Sequence, residues 1–229
     1  MLDIAISDDF SRAGVTVRLG CIQARVAVAE GGTRLGQALK LEAGLRVESL
    51  ERQAAAEIPA IAAARQAFKA LGKDPSRYRV SSEALIRRLG QGKLLHYINT
   101  VVDINNLVSL HSGMSAGSYR IDALVPPLVF RKAVAGESYQ AIGRGPLNLE
   151  NLPVLADAQG PFGSPTSDSD RTMIILDARA DAQTVLMVIY GFGEAKGLAR
   201  AIDFATDCLI SYCKAEEIET AVVAANGPD

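Results

Sequence analysis

Residues 97–110 read Tyr97-Ile98-Asn99-Thr100-Val101-Val102-Asp103-Ile104-Asn105-Asn106-Leu107-Val108-Ser109-Leu110, and this stretch decides how the chain is understood. Its apolar residues cover most of a helical circumference, which predicts a helix buried on nearly all sides. Asn99, Asp103 and Asn106, spaced by four and three, fall on one face of that helix. A buried amide or carboxylate without a partner costs about 1–3 kcal/mol, so something must satisfy this polar stripe. Two readings stay open. The three side chains bond to neighbouring backbone and cap loops, or they form the wall of a ligand pocket whose opposite edge Asn105 reaches from off the stripe.

Towards the N-terminus, Ser81 or Ser82 is positioned to cap a helix that ends at Gly90 or Gly92, with Glu83 in its first turn. A turn at Lys73-Asp74-Pro75-Ser76 precedes it. From Thr33 to Leu71 the content of Ala, Leu, Glu, Arg and Gln predicts helices divided at Gly44 and Pro59. Val15–Ala29 has β-branched residues in partial alternation, which predicts a hairpin or two short strands.

Towards the C-terminus the chain turns β-rich, with strands expected at Ser118–Leu124, Val129–Ala133, Ser138–Ile142 and Pro153–Ala156. The loop Gly160–Asp170 is long, and loops of this length tend to be mobile or functional. Strands Met173–Leu176 and Thr184–Tyr190 follow. A closing helix to about Lys214 carries Ala195, Leu198, Ala199, Ile202, Ala205, Leu209 and Tyr212 on one face. The fold class expected is α+β, as one domain over 1–229: a helical part at about 30–112, a β-rich part at about 113–193 and a C-terminal helix at about 194–214. A short polar tail, Ala224–Asp229, ends the chain.

Composition narrows the function. With 229 residues, 48% hydrophobic and 22% charged, the chain is in the globular range. A net charge of −2 and a pI near 5.8 exclude a protein that coats nucleic acid non-specifically. Charge is unevenly spread, however. Between Lys73 and Lys93 lie six basic residues against Asp74 and Glu83, a patch that either draws a phosphate-bearing partner or is a solvated face with ordinary ion pairs. No apolar run reaches the roughly 18 residues of a membrane span, and Asp3, Asp8 and Asp9 oppose a secretory leader, so a cytoplasmic protein without a membrane partner is expected.

Cys21, Cys208 and Cys213 have neither disulfide nor metal spacing and read as small buried side chains. His96 and His111 lie 15 residues apart in sequence without a zinc pattern, so no metal is expected. Gly191, Gly193 and Gly197 open a helix after a strand, but too little chain follows for a dinucleotide fold, leaving a turn. Nucleophile elbow and P-loop patterns are absent as well. The catalytic residue stays unassigned, and no cofactor is called for.

Asp74-Pro75-Ser76-Arg77-Tyr78, Ser82-Glu83-Ala84-Leu85, Arg87-Arg88 and Asn99-x-x-Val102-Asp103-x-x-Asn106-Leu107-Val108-Ser109-Leu110 together resemble freestanding B3/B4-domain proteins, relatives of the B3/B4 module in the phenylalanyl-tRNA synthetase β subunit. The resemblance extends from about Val15 to Lys214. It implies helices packed on a β-sandwich-like core and a pocket that, in the synthetase, hydrolyses tyrosine mischarged onto tRNA for phenylalanine. The synthetase's Asp-hydrophobic-Thr-Asn segment corresponds to Asp103-Ile104-Asn105-Asn106, with Asn105 in place of Thr. Its pocket histidine falls at Gly117, and the glutamate that reads the tyrosine hydroxyl falls near Val188. Both are missing here, which argues against tyrosine specificity.

Under this resemblance Asn105 and Asn106 orient substrate or water, and Asp103 orients Asn106. Ser167 to Thr172, with Asp170 and Arg171 among them, close the pocket. Arg77, Arg79, Arg87, Arg88 and Lys93 meet a phosphate backbone. The implied partner is tRNA or aminoacyl-tRNA rather than DNA, and the implied activity is hydrolysis of a mischarged aminoacyl ester. Two alternatives remain: a non-catalytic module that binds RNA or protein, and a binder of free amino acids.

Overall fold

The computed structural model describes residues 1–176 and 182–225. Short elements lead in: strand β1 (Ile4–Ile6) and a single helical turn α1 (Asp9–Arg12). Strand β2 (Val17–Val26) is then one unbroken strand of 10 residues rather than the expected hairpin or two short strands. Gly20 does not turn the chain. A Cβ there would lie 2.8 Å from Ile202 Cγ1, so the glycine lets a helix press against the middle of the strand.

Helices follow as α2 (Thr33–Ser49), α3 (Pro59–Ala70), α4 (Ser81–Gly90) and α5 (Thr100–Ser112). Pro59 opens α3 as expected, since proline's missing N–H costs nothing in a first turn. Gly44, by contrast, does not divide α2, because Leu35, Leu39 and Ala43 stay buried along a continuous face. Neither Ser81 nor Ser82 caps α4. The cap position is Val80, and the freed N–H groups of Ser81 and Ser82 are taken by Pro165 O (2.7 Å) and Ser115 Oγ (3.1 Å). Tertiary partners have replaced a local cap.

The β-rich part adds β3 (Ser115–Arg120), β4 (Leu128–Lys132), β5 (Ser138–Ala141), β6 (Gly145–Asn148), β7 (Pro153–Asp157), β8 (Gly160–Gly163) and β9 (Gln183–Phe192), before helix α6 (Leu198–Cys213) and strand β10 (Glu216–Ala224). The expected strand at Ser118–Leu124 begins earlier and gives way to a 3-10 turn at Ile121–Ala123. Met173–Leu176 is irregular rather than a strand. β1, β6 and β8 have no counterpart in the sequence reading: they are short, β1 pairs with the remote β4, and β6 and β8 each begin with Gly-Pro. Of the polar tail, residues 226–229 lie outside the described residues.

Two four-stranded sheets result, β10-β2-β9-β3 and β1-β4-β7-β8, with β5–β6 as a separate hairpin. All ten residues of β2 pair antiparallel with β9, from Val17 with Phe192 to Val26 with Gln183. One face of this main sheet receives α5 and α6. The other meets the second sheet, where Phe130 contacts Tyr190 (ring centroids 5.6 Å apart) and Phe162 contacts Tyr119 (4.9 Å). Helices on one side and a second sheet on the other make a β-sandwich-like core with packed helices, an α+β fold. The buried stripe of α6 is Leu198, Ala201, Ile202, Ala205, Leu209 and the two cysteines Cys208 and Cys213, while Ala199 is exposed and Tyr212 half-buried. All three cysteines are buried and unpaired.

Candidate functional site

β3 is an edge strand of the main sheet, and the site is built against its free edge. A pocket of about 370 Å³ opens there between α4, α5, β3 and the loop that follows β8. Its apolar wall includes Leu85, Val102 and Ile174. Its polar groups are Ser81 on α4, Asn105, Asn106 and Ser109 on α5, Ser118 on β3, Ser164, Thr166, Ser167 and Asp168 on the loop, and Arg144 beyond β5. Asn105 is fixed, because Ser118 donates to its Oδ1 at 2.8 Å. Asn106 is half-buried and has no side-chain bond to a described residue.

The loop is held by its own serine. Ser164 Oγ accepts from the N–H groups of Thr166 and Ser167 (3.2 Å each) and donates to Ser167 O at 2.7 Å. Tyr139 of β5 donates to Ser164 Oγ at 3.1 Å, and Ile142 N bonds to Asp168 O at 3.0 Å, fastening the loop to the β5–β6 hairpin. The loop is thus fastened both within itself and to the hairpin.

At the base of the pocket, Tyr119 donates to Asp168 Oδ1 at 2.7 Å, and the Tyr119 and Tyr190 hydroxyls share a 2.5 Å hydrogen bond. Ser164 N–H also donates to Oδ1, at 3.2 Å. Burial pushes the Asp168 carboxyl up to about 7, against the lowering effect of Tyr119 and the Ser164 N–H. The same burial raises both tyrosines.

Gly117 and Val188 pair across β3 and β9 on this same face of the sheet. A Cβ at Gly117 would stand 2.7 Å from Asp168 Oδ2 and 2.6 Å from the Tyr119 hydroxyl, so that space is already filled. Val188 is fully buried in the core and is not part of the pocket wall. An acidic group and a phenol thus occupy the surroundings where the resemblance places a histidine.

A second cavity of about 280 Å³ adjoins the first and shares Arg144 and Thr166 with it. Arg77, Arg79, Arg87 and Arg88 line this cleft, as does Tyr78. Beneath it the fully buried Glu83 holds Arg65 at 3.0 Å, Arg87 at 3.7 Å and Arg79 at 3.9 Å. Among the described residues, Arg77, Arg88 and Arg144 have no carboxylate partner. Thr166 Oγ1, buried at the junction of the two cavities, has no described partner either.

The structure divides the sequence-derived candidates. Asn105, Asn106 and Ser167 come together in the pocket, and Arg77, Arg79, Arg87 and Arg88 in the cleft. Asp103 does not reach the pocket. It is fully buried on the far side of α5, accepting from Ile98 N at 3.0 Å, with Oδ2 aimed at Gly31. Burial raises its carboxyl above the ordinary value, only partly offset by that N–H. Asn99 is a cap rather than part of a helical stripe, since α5 begins at Thr100 and Asn99 Oδ1 accepts from Val102 N at 2.9 Å.

The far end of the loop is likewise structural. Arg171 grips Asp157 (2.9 Å) and Ala123 O (2.9 Å), Thr172 is buried with its hydroxyl at Phe162 O, and Asp170 is exposed. Burial would raise Asp157, but Arg171 and two backbone N–H groups outweigh it and hold the carboxyl below its ordinary value. Lys93 lies outside the cleft, its N–H bonded to Arg88 O.

Asp168, Arg144, Ser118, Ser164 and Thr166 were not singled out from the sequence. Asp168 and Asp170 are two apart in a Ser/Asp run, and only the tertiary path shows which one faces inward. Among the described residues no three metal-ligating side chains cluster, and no helix is long and apolar enough to cross a membrane.

No curated protein matches the chain. Among solved structures it is similar to an N-terminal fragment of the phenylalanyl-tRNA synthetase β-subunit from Pyrococcus horikoshii, with 13% identity and a TM-score of 0.45, over 100% of this chain and 55% of that one. The chain thus spans about half the length of that fragment. The family model of the B3/4 domain matches residues 63–226, which include α4, α5, β3, the pocket loop and β9. With well over half of its length matched, the chain belongs to the B3/4 domain family.

Proposed function

We propose that the protein binds an aminoacyl ester, with the acyl group in the pocket beside Asn105 and Asn106 and the phosphates of its tRNA carrier over the arginine cleft, and that it hydrolyses the ester. The observation that carries this reading is the adjacency of two cavities of opposite character. One is largely apolar with amides, hydroxyls and the Asp168 carboxyl, the other is lined by Arg77, Arg79, Arg87 and Arg88, and Arg144 and Thr166 belong to both. A ligand with an aminoacyl end joined to a polyanion suits such a pair, because guanidinium groups recognise phosphate through paired N–H donors. The resemblance to an editing module supports the ester as the bond between the two parts.

Deacylation of a panel of correctly and incorrectly charged tRNAs tests it, with Asn106→Ala as control. Turnover of one ester, lost in the variant, is the expected result. Uniform inactivity overturns the hydrolase reading. The absence of a family-type histidine and glutamate at Gly117 and Val188 supports a second reading, a non-catalytic RNA- or protein-binding module. Charge reversal at Arg87 and Arg88 then abolishes association while pocket substitutions have no effect.

A further inference from the structure

Resting on that hydrolase reading, we infer that Asp168 is the general base of the pocket, with Tyr119 and Tyr190 holding its carboxylate in position. The carboxylate is fastened from one side only. Oδ1 accepts from the Tyr119 hydroxyl and the Ser164 N–H, while Oδ2 bonds to no described residue and lies over Gly117, and Asp168 itself lines the pocket. A glycine at 117 is what permits this, since any side chain there would overlap both Asp168 and Tyr119. The oxygen left over is thus an acceptor without a described donor, on a residue that lines a pocket of about 370 Å³ whose other polar groups are amides and hydroxyls plus Arg144.

The step balances with water as the only co-reactant. Asp168 Oδ2 takes a proton from water as the water oxygen bonds to the ester carbonyl carbon. Collapse of the tetrahedral species breaks the bond to the ribose oxygen, and the proton passes from Asp168 to that oxygen. The products are the free amino acid and the ribose hydroxyl, with Asp168 ionised again. Tyr190 donates to Tyr119 and Tyr119 to Asp168, so the two phenols are positioning residues. The titratable groups facing the carboxyl are Tyr119 from β3, Tyr190 from β9, Tyr139 from β5 and Arg144 beyond β5, and the three phenols remain neutral at physiological pH.

The experiment measures deacylation of the charged-tRNA panel against pH, and binding of the same tRNAs, for the wild type, Asp168→Asn and Tyr119→Phe. Asp168→Asn is expected to lose roughly 10²–10⁴-fold in kcat with KM and tRNA affinity kept. The wild-type rate is expected to rise with pH through a midpoint near the Asp168 value of about 7. Tyr119→Phe, which removes a bond to the ionised carboxylate, moves that midpoint upward, a shift that loss of packing alone would not produce. Turnover retained by Asp168→Asn overturns the base while leaving the hydrolase reading intact. A loss confined to KM also overturns it, making Asp168 an anchor for the ligand's ammonium group. Inactivity of the wild type on every ester overturns both.

Discussion

Arg65 Nη1 lies 3.0 Å from both carboxylate oxygens of Glu83, and Glu83 has no solvent exposure at all. This pair is the anchor beneath the arginine cleft, because Arg79 and Arg87 also lean towards the same carboxylate. A buried ion pair adds little net stability over an apolar isostere, but removing one partner leaves the other uncompensated. Glu83→Ala is therefore expected to cost about 3 kcal/mol, the lower end of the usual range since Arg65 keeps a quarter of its side chain exposed. Denaturant unfolding checks this, and a loss below about 1 kcal/mol would show that the arginines rearrange freely into water.

Asn105 and Asn106 are adjacent in sequence but play different parts. Asn105→Ala leaves the Ser118 hydroxyl, itself buried, without its acceptor and is expected to destabilise by about 1–2 kcal/mol. Asn106→Ala breaks no bond to a described residue and is expected to change stability by less than about 0.5 kcal/mol. Under the proposed function an aminoacyl ester analogue raises the melting temperature of the wild type, and Asn106→Ala should abolish that rise. If the two variants unfold alike, the division of labour on α5 is wrong.

The sequence had already placed both asparagines on a buried helix, since the near-continuous apolar run of residues 97–110 fixes that much. It assigned them the wrong company. Asp103, three residues before Asn106, shares its helical face on an ideal wheel, yet it turns to Ile98 and Gly31, because the chain entering α5 folds back over that side. Asn99 left the stripe altogether by becoming the cap. Periodicity predicts a shared face but says nothing of where the chain before the helix runs.

Asp168 is expected to weaken the fold at neutral pH. A carboxyl whose folded pKa is raised binds its proton more tightly in the native state. Stability is gained as pH falls through the folded value of about 7 and the gain is complete below the ordinary carboxylate value of 3.8. Asp168→Asn removes the buried charge and should raise stability above pH 7 by about 1–2 kcal/mol, with the difference fading at acid pH. Thermal melts of the two proteins at several pH values show it. A variant less stable than the wild type across the whole range would mean that the Asp168 carboxylate is a net structural asset.

The phosphate contacts proposed for the cleft predict a salt dependence. Replacing Arg87 and Arg88 together by Glu is expected to weaken tRNA binding at least about tenfold and to lower the slope of log affinity against log salt by roughly two, one for each lost contact. Filter binding over a salt series measures both. An unchanged slope would place the RNA elsewhere on the surface.

The arginine segment 77–88 was visible as a local excess of basic residues, and Glu83 could be read as a helix N-terminal acid. That one carboxylate gathers three arginines is a tertiary fact, since Arg65 arrives from α3 across the intervening turn.

Composition and hydrophobic period were sufficient for the α+β class, the helical character of the chain from Thr33 to Leu71, the helices from α3 to α6 and the buried character of α5, because those depend on which residues leave water and on spacing along one segment. The ordered motifs between residues 74 and 110 carried the family as well. Tertiary structure alone decided which residues face the pocket. β3 became a sheet edge only through its pairing with β9, 71 residues from Tyr119 to Tyr190 along the chain, and the loop from Ser164 to Asp168 was aimed at that edge by the β5–β6 hairpin. The Asp168–Tyr119–Tyr190 cluster thus joins three segments remote in sequence. No pattern within any one of them could reveal it, since the burial that perturbs Asp168 exists only once all three are packed together.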